Sequence, residues 1–444
     1  MATPGRSGPR NRTVWWQARG GMLTGRNVLR GLWRHPDFLK LWAGQTISRF
    51  GSEISQLAIP LTAALVLSAS PFQMGVLSAV EFAPFLLLSL LAGVWVDRLP
   101  RRPLLVISDL GRALVLASIP LAAIFGMLRI EQLFVVGLLT GALTVVFDVA
   151  YQAYLPALVS RDALVEGNSK LAVSASVAQI AGPGLGGALV QLITAPVAVT
   201  LDAVSFAVSA ACLLLIRTRE QIAARSASGT GVWTELRQGL AVVIDNPVLR
   251  SIAGCTATSN LFGSASQAIY VLYLTRELEI EPALLGIILA MLGPGALVGS
   301  LVAGPAAIRL GLGTTIVGSI VLGVAANLLV PLAAGPRPLV VVMLCLASFL
   351  VGLTSPIYNV NQVSLRQAIT PDHLQGRMNA SMRFIVWGTI PLGSLLGGSL
   401  GQVLGLRPTL LVMAVLGLLA PLWVAFSPVR RLPRNAASAG RVYS

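Results

Sequence analysis

Gly93-Val-Trp-Val-Asp97-Arg98-Leu-Pro-Arg101-Arg102-Pro103 is the stretch on which the fold turns. It sets one aspartate and three arginines between an apolar run over 73–96 and another over 103–127. Each run is long enough for a transmembrane helix, which needs about 20 mostly apolar residues. Gly93 lets helix backbones approach closely. Asp97 falls at a helix C-terminus, where the helix dipole disfavours an acid, so it answers to a basic partner or to a neighbouring helix's N-terminus. Positive charge on a cytoplasmic loop accounts for Arg98, Arg101 and Arg102. It leaves the Gly–Asp spacing unexplained.

Outward from this loop the pattern repeats. Of 444 residues, 55% are hydrophobic and 11% charged, where a soluble domain carries about 25% charged residues. Breakers divide the apolar runs into twelve spans, near 38–67, 73–96, 103–127, 132–154, 168–193, 197–216, 248–274, 283–307, 313–334, 338–361, 378–403 and 407–427. Twenty-five Lys and Arg fall on one side of these spans and four on the other. That imbalance predicts both termini in the cytoplasm of a multi-pass protein of the inner or plasma membrane. The net charge of +15 is thereby a topology signal and an attraction to anionic lipid, so no nucleic-acid partner is expected. Residues 1–36 read as a basic cytoplasmic tail, 217–247 as a central cytoplasmic loop and 429–444 as a second tail. Cys212, Cys255 and Cys345 lie in apolar runs without motif spacing, and His35 and His373 stand beside spans. No metal site, cofactor or enzymatic centre is expected from that material.

The halves 37–216 and 248–428 match at a shift of about 211 residues. Gly75 falls on Gly286, Ala92-Gly93 on Ala303-Gly304, Arg98-Leu99 on Arg309-Leu310, and Gly186-Gly187 on Gly397-Gly398. Parallel six-helix repeats place a substrate site between halves at the bilayer midplane. With this repeat, the opening stretch resembles the signature of the major facilitator superfamily, Gly-x-x-x-Asp-Arg-x-x-Arg-Arg after the second span. The resemblance implies an all-α membrane protein of twelve transmembrane helices in two pseudo-symmetric six-helix bundles. It also implies a conformational latch built on Gly93, Asp97, Arg98, Arg101 and Arg102, with Asp109 and Arg112 as further members of its network. The second-half copy has lost the Asp and most of the basic residues.

Span five carries Gly182-Pro183-x-x-Gly186-Gly187, a bend with closely packing glycines. It resembles the core of the motif of family members that exchange drugs for protons, which favours export over import. Phe147-Asp148-x-x-Tyr-Gln-x-x-Leu-Pro156 and Leu201-Asp202-Ala-Val-Ser205-Phe206 are similar to the branch holding the enterobactin exporter, macrolide efflux proteins and multidrug pumps.

Ionisable groups inside spans are functional candidates, and acids occur within the spans of the first half alone. Glu53, Glu81 and Asp148, with Arg49 one turn before Glu53, are the candidates for proton coupling. Arg49 and Glu53 share a helix face and could neutralise each other. Asp202, near the outer end of span six, could simply reach water. In the second half Gln267, Tyr270, Tyr273, Tyr358, Asn359 and Gln362 are candidates for lining a substrate cavity. The expectation is a monomeric, proton-coupled exporter of an amphipathic small molecule (a drug, macrolide or siderophore). Competing readings are a facilitator or importer of a small metabolite, and a non-transporting receptor or assembly protein.

Overall fold

A computed structural model describes residues 31–96, 99–218 and 232–431. The first half contains α1 (Pro36–Leu61), α2 (Pro71–Val96), α3 (Arg101–Ile124), α4 (Ile130–Leu158), α5 (Leu164–Ile193) and α6 (Ala195–Leu214). After α7 (Val232–Asp245) come α8 (Pro247–Arg276), the broken helix α9 (Pro282–Ala290) and α10 (Leu292–Leu310), then α11 (Leu312–Leu332), α12 (Arg337–Ile369) and α13 (Asp372–Leu404). The chain closes on α14 (Leu406–Gly417) and α15 (Ala420–Ala425), which together make one crossing. Among the described residues ten crossings are long and apolar enough for a membrane, and α8 joined to α7 makes an eleventh. The twelfth is α1, 26 residues long, whose Lys40, Gln45, Arg49, Ser52, Glu53, Ser55 and Gln56 keep its apolarity low. The twelve-helix architecture agrees with the reading of the sequence.

Local signals start these helices where the sequence turns. Ser70 and Gln73 form a reciprocal capping box at α2, with Ser70 N donating to Gln73 Oε1 at 2.8 Å and Gln73 N donating to Ser70 Oγ at 3.2 Å. His35 Nδ1 caps α1 by accepting from Phe38 N, and Asn246 Oδ1 caps α8 by accepting from Val248 N and Leu249 N. These two caps, each followed by a proline, stand 211 positions apart, so the repeat reaches the first residue of each half.

The stretch 217–247, expected as a loop, contains α7. Val232, Leu236, Leu240 and Val243 recur at helical spacing, and Val243 is buried in the core of the second half. Between α7 and α8 the chain turns by 103°. Gly239 lies flush on α13, where a Cβ would collide with Arg377 and Ser381. Positions 1–30 and 432–444, the greater part of both tails, lie outside the described residues, as do positions 219–231.

The hydrophobic core is divided unevenly. We call the end where α1 begins the near end. At the far end one continuous cluster joins both halves, from Leu57 and Leu61 to Tyr270, Tyr273 and Leu285. At the near end each half keeps a core of its own. The halves are therefore sealed together at the far end and parted at the near end. Two crossings of bare backbone make the seal: Gly75 of α2 against Gly398 of α13, and Gly286 of α9 against Gly187 of α5. A Cβ added at Gly75 would lie 2.8 Å from the Gly398 Cα, and one at Gly286 would lie 2.9 Å from the Gly187 Cα. The 211-residue shift exchanges these two pairs.

A junction fastens the near end of the first half. Asp37, at the rim before the apolar stretch of α1, accepts from Arg217 N, Thr218 N, Thr218 Oγ1 and Lys40 Nζ. Burial pushes this carboxyl up, but Lys40, Thr218 and the two backbone N–H groups outweigh it and hold it well below the usual carboxylate range. A depressed folded value means stability that is full above the unfolded carboxylate value, about 4, and lost as pH falls through the folded one. In detergent, acidification below about pH 4 is expected to lower the unfolding temperature of the wild type. Asp37→Asn should be less stable at neutral pH and should lose less on acidification. Parallel acid profiles for the two proteins would contradict the assignment.

Candidate functional site

Between the parted near-end halves lies a cavity of about 540 Å³. Phe85 of α2 and Trp387 of α13 meet across it with ring centroids 5.5 Å apart, so each half contributes one aromatic wall. The Arg383 guanidinium stands 5.4 Å from the Trp387 ring. One turn below Gln362 on α12, Arg366 donates from Nη2 to Asn379 Oδ1 at 3.2 Å. Arg366 Nε and Gln362 Oε1 are buried with no partner, on two residues that line the cavity. Among the described residues the wall carries two guanidinium groups, three side-chain amides and no carboxylate. Such a wall suits a neutral or anionic aromatic compound better than a cation.

Of the six second-half candidates, Asn359 and Gln362 line this cavity. Tyr358 turns its hydroxyl to Thr256 Oγ1 at 2.5 Å and packs against the near-end core. Tyr270 and Tyr273 are buried in the far-end seal, where the Tyr273 hydroxyl donates to Val330 O at 3.5 Å. Gln267 is exposed and lies off the cavity wall. The sequence reading missed Arg366 and Arg383 because it spent them on orientation, and Phe85 and Trp387 because an aromatic in an apolar span carries no signal of which way it faces.

A second chamber, about 200 Å³, lies inside the first half. Arg49, Glu81, Arg112, Asp148 and Asp202 line it, and it shares Phe85 with the central cavity. Arg112 is held between the rings of Phe147 and Phe206, at 4.4 and 4.0 Å from their centroids, and pairs with Asp109 one turn earlier on α3. That pair, which the sequence reading assigned to the latch network, lies inside the bundle of the first half. Asp202 does not reach water: it is 2% exposed, and Ser205 Oγ donates to its Oδ1 at 3.1 Å. α6 packs against α1 and α3, with Gly51 of α1 set against Asp202 and Ser205, which the apolar pattern of α6 alone could not reveal. Arg49 and Glu53 are not among the ion pairs of the described residues. Glu53 instead occupies the space that Gly182 leaves open on α5.

Pro183 lies within α5, which runs unbroken through it, and Gly186 and Gly187 face Ile54 of α1 and Gly286 of α9. In the opening stretch, Gly93 is in the last turn of α2, while Asp97 and Arg98 fall outside the described residues. Arg101 Nη1 donates to Ala153 O at 3.0 Å, and Arg102 reaches Leu213 O at 2.9 Å and Leu214 O at 2.5 Å. Both guanidinium groups thus meet backbone carbonyls near the ends of α4 and α6, where the dipole favours cations. No three His, Cys, Asp or Glu side chains converge as metal ligands among the described residues.

The profile of the transmembrane secretion effector family matches residues 32–442. A multidrug efflux pump, Tap of Mycolicibacterium fortuitum, is 31% identical over 409 residues, 89% of this chain and 96% of that protein. YfiS of Bacillus subtilis, an uncharacterized transporter of the same superfamily, is 26% identical over 85% of this chain and 90% of its own. Among solved structures, a bacterial homologue of the iron transporter ferroportin in its inward-facing state superposes with a TM-score of 0.71 at 18% identity. That match covers 88% of this chain and 98% of the homologue. The outward-facing state of the bacterial ferroportin homologue gives 0.53 at 20% identity, covering 88% and 98%.

Proposed function

Because the chain belongs to the transmembrane secretion effector family of the major facilitator superfamily, we propose that it expels an amphipathic small molecule from the cytoplasm in exchange for protons. The near end is the cytoplasmic end on this reading, since most Lys and Arg lie there. One observation carries it: the halves part at that end around a cavity lined by rings, amides and guanidinium groups, while the membrane-embedded acids stay in the first half. The molecule enters from the cytoplasm, the near end closes, and the glycine crossings of the far end open. Glu53, Glu81 and Asp148, with Arg49, are the sequence candidates for carrying the proton. The resemblance to drug and siderophore exporters names the candidate substrates, and the cavity favours those that are neutral or anionic.

The test uses everted vesicles loaded through the exposed cytoplasmic side with anilinonaphthalene sulfonate or, as a cationic counterpart, ethidium. Gradient-driven accumulation of the anionic probe is expected, with Arg366→Gln and Arg383→Gln each lowering its apparent affinity about 5- to 10-fold. Accumulation that persists after the proton gradient is collapsed would remove proton coupling. Preference for ethidium would overturn the charge assignment.

A further inference from the structure

The chamber in the first half contains more acid than the proton candidates read from sequence account for. Asp148 lies within electrostatic reach of Arg49, Arg112 and, from the second half, Arg383. Asp109 is bound to Arg112, and Glu53 faces α5. Asp202 has no guanidinium of its own. The groups facing it are the Ser52 and Ser55 hydroxyls of α1, Ser205 of its own helix, and Arg112 of α3, which Asp109 already engages. Glu81 of α2 and Asp148 of α4 face it across the chamber. A buried carboxylate without a counter-charge is costly in a bilayer and is relieved by a cation or a proton.

The surroundings are built to hold both forms of such a group. A serine hydroxyl donates to a carboxylate and accepts from a carboxylic acid. Ser55 is 5% exposed, lines the chamber and makes no hydrogen bond of full geometry, and the Nε2 of Gln45, equally buried, is likewise without a partner there. Gly51 makes the approach possible, since a Cβ there would collide with Ser205 and Asp202. Glu81 makes no side-chain hydrogen bond among the described residues, and the Thr140 hydroxyl, also buried without a partner, lines the same chamber.

A second cavity adjoins the chamber on its near-end side. The chamber shares Gln45 and Arg49 with a cavity of about 230 Å³ that runs past Tyr151 to Asn168 in the second turn of α5, at the near end. The chamber itself adjoins the substrate cavity at Phe85, which lines both.

We propose that Asp202 is the proton-binding group of this chamber, cradled by Ser52, Ser55 and Ser205, with the cavity past Arg49 on its near-end side. The proposal rests on the proton-coupled reading given above. One proton adds to a carboxylate oxygen and leaves from the same oxygen; nothing else is transferred.

Three measurements on the full-length protein in proteoliposomes decide it. Dicyclohexylcarbodiimide, which attacks protonated carboxyls in apolar surroundings, should modify Asp202 of the wild type on peptide mapping, more at about pH 6 than at about pH 8. Asp202→Asn should bind about one proton fewer than the wild type on titration with a trapped pH dye. Its gradient-driven accumulation of anilinonaphthalene sulfonate should fall about 10-fold or more, while equilibrium binding of that probe stays within about twofold. Modification confined to Glu81 or Asp148, or a proton count unchanged in Asp202→Asn, overturns the assignment even if the variant transports poorly. Normal gradient-driven accumulation by Asp202→Asn overturns it too, but leaves proton coupling standing. Wild-type accumulation that ignores the gradient overturns both. If Asp202→Asn does not fold, the carbodiimide map of the wild type and the Ser52→Ala/Ser55→Ala double variant carry the test. That double variant should shift the pH dependence of labelling, and an unmoved profile would contradict the cradle.

Discussion

Gly187→Leu is expected to unseal the far end. The residue meets Gly286 backbone to backbone, and a leucine there has no void to enter. Overpacking of this kind costs about 1–3 kcal/mol, which moves a two-state balance about 5- to 150-fold. Spin labels on the far ends of α1 and α8 should report a wider separation in the variant, and transport should fall to near background. The pseudo-symmetry makes a sharper demand: Gly75→Leu, Gly286→Leu and Gly398→Leu should all act in the same direction, because the 211-residue shift exchanges the two crossings. Gly318→Leu, where a side chain meets open space, is the control and should leave both distances and transport unchanged. Wild-type distances in Gly187→Leu would show that the crossing does not hold the seal.

The second large effect is expected at Arg112. Arg112→Met leaves the Asp109 carboxylate buried without its partner and strips the stack between Phe147 and Phe206. Removing one member of a buried pair costs about 3–5 kcal/mol. The unfolding temperature in detergent should drop by many degrees. Asp109→Asn in the same chain should restore much of the loss, because the orphaned charge disappears with it. Arg112→Lys should rescue less, since an ammonium cannot lie as a plane between two rings. Equal melting of Arg112→Met and wild type would dismiss the pair as a fastening of the first half.

The helices and their repeat were legible in the sequence because a bilayer forces each crossing to be about 20 apolar residues long. Gly75, Gly187, Gly286 and Gly398 were legible as repeats, but not as partners. A match at fixed shift tells which positions are equivalent, whereas the contact runs between Gly75 and Gly398, which are not. The sites were harder. Asp148, Asn359 and Gln362 stand where a polar group in an apolar span should stand. Tyr270 and Tyr273 do not, because an aromatic hydroxyl can satisfy itself against a backbone carbonyl within a packed seal. Asp202 was misplaced by depth along its helix, since depth says nothing of what covers that end. α7 was hidden by the polar residues around it, and a short amphipathic helix on the near-end rim looks like a loop when judged by apolarity alone.

Phe85 has a consequence for what kind of machine this is. One ring forms a party wall: on one face the central cavity, on the other the chamber of the first half. Under the proposed exchange, guest and ion need not compete for the same volume, so a bulky guest and a slender one would each be carried against the same charge. Breadth toward cargo and strictness toward the driving ion become properties of two rooms rather than a compromise within one. The tightness of that wall, more than the chemistry of either room, would then govern how often an ion slips through without cargo.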